Sequence, residues 1–358
     1  MKTFSQRLLT WFDTHGRKDL PWQHKPTTYR VWISEIMLQQ TQVTTVIPYY
    51  QRFIASFPDL STLAEAHLDN VLHHWTGLGY YARARNLHKA AQLVIQQHAG
   101  KLPCDQVKLE SLPGIGRSTA AAILAIACKQ KATILDGNVK RVLTRYHAIT
   151  GWPGQSAVSK ALWKVAEQHT PSERVAAYTQ AMMDLGATLC TRSSPACAQC
   201  PLQLDCKAFK QGNPKAFPTS KPRKQRPSKT RHFLIIENPH KEILLTRRPP
   251  AGIWGGLWSL PELEDRQQLK QHLQTQYQLR IQQKETWPIF KHQFSHFELK
   301  IIPLYIRAKT TPSAVKEMAS DAMVWYNTRH SPPGGLPAPV VKLLQHYQQR
   351  QLEQEEIR

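Results

Sequence analysis

Leu112-Pro113-Gly114-Ile115-Gly116-Arg117-Ser118-Thr119 is the stretch on which the fold of this chain turns. Two glycines flank one apolar residue, so the backbone can make a tight hairpin with no Cβ in the way. The residues that follow, Thr119 to Ala127, are mostly small and apolar, which suits a helix packed closely on its neighbours. Outward-pointing amides beside the positive end of that helix can approach a phosphate. A helix-to-helix connection with no ligand uses the same residue types, so the stretch is read with its surroundings.

Around it the chain reads as helical up to about Cys206. Tyr29 to Val43, Leu68 to Trp75, Ala82 to His98, Arg117 to Cys128 and Val139 to Tyr146 carry apolar residues at three- and four-residue spacing. Gly- and Pro-bearing turns separate them. From Lys207 to Arg231 there are nine Lys or Arg, no acid, and prolines at Pro214, Pro218, Pro222 and Pro227, which predicts an extended linker. Beyond it, Phe233 to Ile236, Glu242 to Leu245 and Leu299 to Ile306 read as strands and Asp265 to Leu279 as a helix. The expectation is multidomain: an all-α domain over 1–210 with a hairpin element at about 105–128, a basic Pro-rich linker at 211–230, an α+β domain over 231–347, and a polar tail at 348–358. A length of 358 residues suits two domains.

Forty-seven Lys and Arg against 25 Asp and Glu leave a net charge of +22. That excess points to a polyanionic partner, nucleic acid ahead of an anionic membrane. No window approaches the roughly 18 apolar residues of a membrane span, and Met1 to Asp13 lacks the pattern of a secretory leader. The expected location is therefore the bacterial cytoplasm. In a reducing compartment, Cys190, Cys197, Cys200 and Cys206, crowded into seventeen residues, read as a metal site before a disulfide framework. Four thiolates so close suit a tetrahedral zinc or a cubane iron–sulfur cluster, and spacing alone does not separate the two. Cys104 and Cys128 read as small packing residues.

Two acids stand out by context. Glu35 shares a helix face with Val31, Leu38 and Gln39, so burial should raise its pKa and keep it protonated near neutrality, as a general acid requires. A Glu paired with a nearby Lys or Arg is the plainer alternative. Asp136, in Ile134-Leu135-Asp136-Gly137-Asn138, stands where helix caps stand. With Asn138 available as the cap, an ionised Asp136 is free to face a developing cation.

These segments, with Leu72-His73-His74-Trp75-Thr76-Gly77-Leu78-Gly79-Tyr80-Tyr81-Ala82-Arg83-Ala84-Arg85-Asn86, resemble the MutY-type adenine DNA glycosylases of the endonuclease III, helix-hairpin-helix superfamily. The resemblance runs from about Arg17 to Cys206 and resumes in the second domain. It implies that the four cysteines hold one [4Fe–4S] cluster. It implies that Glu35 protonates an extruded adenine at N7, that Asp136 stabilises the oxocarbenium-like sugar, that Asn138 helps hold the carboxylates, and that Tyr80 lies beside the sugar and the opposite base. Gln40 and Leu78 would then fill the gap left by the base, with Thr41, Gly114, Gly116 and Ser118 also binding the DNA. The implied partner is duplex DNA with adenine opposite 8-oxoguanine or guanine, bound by a monomer.

Bifunctional relatives carry Lys where this chain has Ser118, and a hydroxyl cannot form a Schiff base. The resemblance therefore implies a monofunctional enzyme that leaves an abasic site. Pro249 to Pro261 resembles the opening of a Nudix domain, and Gly256 and Glu262 start its box. The metal-binding acids then give way to Lys270, Gln271, Gln274 and Thr275, which cannot gather divalent cations. A Nudix-like reader without hydrolysis is expected, with Phe294, Ser295 and His296 matching the motif for 8-oxoguanine. On its own, Phe290 to Phe297 reads as an amphipathic strand. An endonuclease III-like glycosylase for oxidised pyrimidines shares the helical half but lacks the second domain and would want Lys at Ser118. A non-catalytic DNA-binding protein has no use for Glu35 and Asp136 in these contexts. One departure is Gln23 after Pro21-Trp22, where many relatives carry Arg.

Overall fold

The computed structural model describes residues 2–222, 226–309 and 322–356. Positions 223–225 of the expected linker, 310–321 of the expected second domain and 357–358 of the expected tail lie outside the described residues. The chain divides into two compact units, Met1–Glu65 with Asn86–Arg223, and Ala66–Arg85 with Lys224–Arg358.

The first unit is helical: α1 (Phe4–His15), α2 (Thr28–Leu38), α3 (Val43–Ser56) and α4 (Leu60–Glu65). After α5 (Leu68–His74), which belongs to the second unit, α6 (Ala82–Gln97) leads back, followed by α7 (Gln106–Glu110), α8 (Arg117–Ile126), α9 (Gly137–His147), α10 (Ser156–His169), α11 (Val175–Thr188) and α12 (Lys207–Lys210). A capping box starts α1, with the Thr3 hydroxyl accepting from the Gln6 amide and the Gln6 side chain from Thr3. Its apolar stripe of Phe4, Leu8 and Phe12 joins Ala121, Ala122, Val142, Leu162, Met182 and Leu185 in one core. The alanines of α8 are fully buried, as a close helix approach requires.

Three expectations need correction here. Tyr29 to Val43 is not one helix: α2 stops at Leu38, and Gln40 is left-handed at φ 58° before α3 begins. The basic stretch after Cys206 is not extended from its start. Instead α12 and a turn at Pro214–Ala216 fold back, because Arg145, buried in α9, donates to the Pro214 and Phe217 carbonyls. Finally, Cys104 and Cys128 are not separate packing residues. The helix-hairpin-helix brings the chain before α7 and after α8 together with Cα atoms 6.0 Å apart, and the two are joined as a disulfide.

The second unit is α+β. Its strands are β1 (Ser228–Glu237), β2 (Ile243–Arg247), β3 (Trp258–Ser259), β4 (Glu262–Leu263), β5 (Ile281–Thr286), β6 (Phe290–Gln293), β7 (Glu298–Ala308) and β8 (Met323–Tyr326). The sheet runs β3-β2-β1-β7-β5, with β4 on β1, β6 on β7 and β8 on β2. The pair at its centre, β1 and β7, is parallel over its length and the other pairs are antiparallel. Phe233 to Ile236 are buried without alternation, as a central strand covered on both faces should be. Leu234 and Ile236 meet Leu269, Leu273 and Tyr277 of α13 (Leu269–Tyr277) on one face. On the other, Tyr347 of α14 (Ala338–Glu356) bonds the buried Glu237 and lies near Tyr305.

Residues 66–85, contiguous in sequence with the helical half, cluster with this sheet. Asp69 pairs with Arg247, the Tyr81 hydroxyl donates to the Leu336 carbonyl at 3.0 Å, and Arg85 donates to the Gly255 carbonyl at 2.6 Å.

Candidate active site

Glu35 on α2, Ser118 and Thr119 at the start of α8, and Asp136 and Asn138 at the start of α9 line one cavity of about 300 Å³, together with Thr41. Glu35 is reachable from that cavity, yet its surroundings are dry enough to push its carboxyl up to about 8, burial first and the Asp136 charge second. It is therefore protonated at neutral pH.

Asp136 is the helix cap, contrary to the expectation that Asn138 takes that place. Its carboxylate accepts from the Val139 amide at 2.8 Å, because its own extended backbone lets the side chain fold over the first turn of α9. Asn138 donates to the other Asp136 oxygen at 3.3 Å and accepts from Arg141 at 2.8 Å. Burial raises the Asp136 pKa, and these donors with the Arg141 charge pull it back. Between the two acids, the hydrogen-bonded Asp136 loses its proton first and Glu35 keeps its own. The cavity holds an acid and a carboxylate at one pH.

The frame around these groups is specific. Ser118 Oγ accepts from the Leu135 amide at 3.0 Å, so the residue of interest for lyase chemistry instead pins the chain just before Asp136. Gly186 permits α11 to press on α9, since a Cβ there would lie 2.5 Å from the Asn138 Cβ. Arg141 also donates to the Gly186 and Cys190 carbonyls, tying Asn138 to the cysteine loop. Asp184, fully buried, was missed by sequence reasoning. It accepts from the Arg17 backbone and guanidinium and from Gln180, holding the segment Arg17 to Gln23 beside the cavity. At helical spacing its neighbours are Gln180, Ala181, Ala187 and Thr188, a mixed face, so the apolar-face signal that marks Glu35 was absent. Gln23, the departure noted above, braces that segment by donating to the Arg17 carbonyl at 3.0 Å and accepting from the Leu20 amide at 3.1 Å.

The other expected residues are not part of that lining. Gln40 is exposed beside it. Gly114, at φ 82°, and Gly116 form the hairpin ahead of α8, and a Cβ on Gly114 would press on the Asn86 side chain at 3.0 Å. Leu78 and Tyr80 lie in the second unit, on a turn with Gly77, Gly79 and Tyr80 all at positive φ; Leu78 is buried and Tyr80 half exposed. Phe294, Ser295 and His296 are not in a strand. They form the tip between β6 and β7, closed by a bond from the Phe294 amide to the Phe297 carbonyl, with Ser295 and His296 exposed. Glu262 is tied to Arg248, leaving it in an ion pair instead of an acidic cluster.

Cys190, Cys197, Cys200 and Cys206 are free thiols around one small cavity of about 30 Å³. Arg145 donates to Cys190 Sγ at 3.3 Å. Burial pushes Cys200 up to about 12 and raises Cys197 and Cys206, so four thiolates here call for a strongly cationic core beside them. Among the described residues, no group of three or more His, Cys, Asp or Glu is placed to hold a single metal ion.

Residues 33–168 match the HhH-GPD superfamily of base excision DNA repair proteins, and residues 232–346 match the NUDIX domain. An adenine DNA glycosylase of Buchnera aphidicola subsp. Acyrthosiphon pisum is 40% identical over 344 residues, covering 96% of this chain and 97% of that protein. The adenine DNA glycosylase of Mus musculus is 34% identical over 385 residues, covering 90% of this chain and 74% of its own. A solved thermostable thymine-DNA glycosylase superposes with a TM-score of 0.53 at 28% identity, over 58% of this chain and 95% of its own. Endonuclease III in a non-covalent complex with DNA shares the helical fold, with a TM-score of 0.50 at 22% identity over 58% of this chain and 94% of its own. A helical unit with a buried acid and carboxylate in one cavity, joined to a Nudix-like unit and matched along nearly its whole length, places the chain in the adenine DNA glycosylase family.

Proposed function

We propose that this enzyme removes adenine paired with 8-oxoguanine, or with guanine, from duplex DNA, and that it leaves an abasic site without cutting the strand. The observation that carries the reading is that Glu35, held up at about 8, and Asp136 line one cavity. Glu35 gives its proton to N7 of an extruded adenine, and the bond from C1′ to N9 breaks with its electron pair leaving on the base. The sugar becomes cationic, and the Asp136 carboxylate, oriented by Asn138 and the Val139 amide, stabilises that charge. Water adds to C1′ and its proton passes to the site's carboxylates.

Ser118, with its hydroxyl engaged by the Leu135 amide, offers no amine for strand cleavage. The hairpin at Gly114 and Gly116 would grip a phosphate through amides, Gln40 and Leu78 would fill the opened stack, Thr41 would meet the DNA, and Tyr80 would lie beside the sugar and the opposite base. Cys190, Cys197, Cys200 and Cys206 suit a [4Fe–4S] cluster, which would brace a cationic loop carrying Arg192, Lys207 and Lys210. Ser295 and His296, exposed at the β6–β7 tip, suit the edge of 8-oxoguanine. We take the working form as a monomer.

The test is strand scission on a duplex with one A:8-oxoguanine pair, with and without hot alkali. Cleavage only after alkali, abolished in Glu35→Gln, is expected. Cleavage without alkali would refute the monofunctional reading, and absence of product from the holo-protein would refute adenine as the base removed.

A further inference from the structure

Within the second unit, a continuous set of contacts runs from the β6–β7 tip to the turn that carries Leu78 and Tyr80. The Phe294 ring, stacked on Phe297 at 4.4 Å, lies 5.1 Å from the Trp254 ring, which is also 5.5 Å from His292. Trp254 is held in a left-handed conformation, φ 54°, costly for a bulky residue unless its surroundings impose it. They do so here: Arg248, paired with Glu262, donates to the Ile253 carbonyl at 2.9 Å and lies over the Trp254 ring. The next residue is Gly255, where a Cβ would land 2.4 Å from the Pro250 carbonyl oxygen, so the loop is packed tightly on itself.

The Gly255 carbonyl takes the Arg85 guanidinium at 2.6 Å. Arg85 stands in the first turns of α6, two residues after Arg83. Arg83 in turn donates to the Leu78 and Gly79 carbonyls, at 3.3 and 3.1 Å, and lies over the Trp75 and Tyr80 rings. A displacement of the Trp254 ring therefore has a route to the backbone of the turn, through Gly255, Arg85 and the chain between Arg85 and Arg83.

We propose that Trp254 and Arg85 are positioning residues that couple the base met by Phe294, Ser295 and His296 to the setting of the Leu78–Tyr80 turn, so that adenine is extruded faster opposite 8-oxoguanine than opposite guanine. This rests on the reading above, that the tip meets the base opposite adenine and the turn enters the stack. Energetic coupling between sites that share a packed route is commonly worth a 5- to 150-fold effect, and it should appear in selectivity more than in chemistry.

The test compares single-turnover rates on A:8-oxoguanine and A:G duplexes for the holo-protein, Arg85→Ala, Arg85→Lys and Trp254→Ala. Arg85→Ala and Trp254→Ala should lower the A:8-oxoguanine rate by roughly 5- to 150-fold while the A:G rate stays within about threefold. Arg85→Lys, which keeps a donor for the Gly255 carbonyl, should recover most of the loss. Equal losses on both duplexes, or no loss on either, would overturn the coupling. Wild-type protein with no preference between the duplexes would overturn the reading of the tip itself, before any variant is compared.

Discussion

Glu35→Gln should stop base removal and, at alkaline pH, make the protein more stable. The Glu35 carboxyl sits at about 8 against an ordinary 4.5 because ionising it strands a charge in a dry site beside Asp136. At about 1.36 kcal/mol per pKa unit, the ceiling on that cost is roughly 5 kcal/mol. Because solvent reaches the cavity, about 2–4 kcal/mol is the expectation. The native state binds the proton more tightly than the unfolded chain, so this stability is intact below pH 4.5 and is lost as pH rises toward about 8. Gln has no proton to lose. The gap between variant and wild type should therefore widen through that window and level off above it. Urea unfolding followed by tryptophan fluorescence at pH 5 and pH 9, on both proteins, measures the gap directly. A gap that does not change with pH, or a variant less stable than wild type at pH 9, would refute the assignment of Glu35 as a buried acid, whatever happens to its activity.

The single-turnover rate should trace a bell in pH. Its alkaline limb falls as Glu35 loses its proton near 8, and its acid limb falls as Asp136, raised by burial above 3.8, gains one. A flat profile between pH 6 and 10 would count against the pair. Asp136→Asn keeps a good cap for α9, so unfolding should shift by less than about 1 kcal/mol, while the rate drops by about 100- to 1,000-fold. Gly186→Ala forces a Cβ to 2.5 Å from that of Asn138, so α9 and α11 must part. The variant should lose about 1–3 kcal/mol and lose activity with it, read from urea midpoints and turnover on the same preparation.

Much of the site was legible because its signals are local. An acid among apolar residues at helical spacing is a buried acid wherever the helix goes, and this reads Glu35 correctly. The same rule passes over Asp184, whose face also carries Gln180 and Thr188 and whose main partner, Arg17, is distant in sequence. The hairpin at Gly114 was legible because only glycine accepts its backbone cheaply. Asp136 shows the limit of reading residue types: two residues could cap α9, and the helix starts at Gly137, which leaves the extended Asp136 as its cap and Asn138 inside the first turn. Cys104 and Cys128, distant from the cysteine cluster, gave no local hint of each other. Only the folding of α7 against α8 sets them within bonding distance.

By itself, then, the sequence determined the two-part architecture, the hairpin, the grouping of four cysteines and the chemistry available at Glu35, since each rests on spacing and side-chain type within a few turns of chain. Tertiary structure alone decided the rest. It divided the unit boundary inside α6, assigning residues 66–85 to the sheet through Asp69, Tyr81 and Arg85. It also brought Glu35 and Asp136 to one cavity. Those outcomes depend on partners distant in sequence, and burial and hydrogen bonding across such distances leave no periodic trace in the residues near each end.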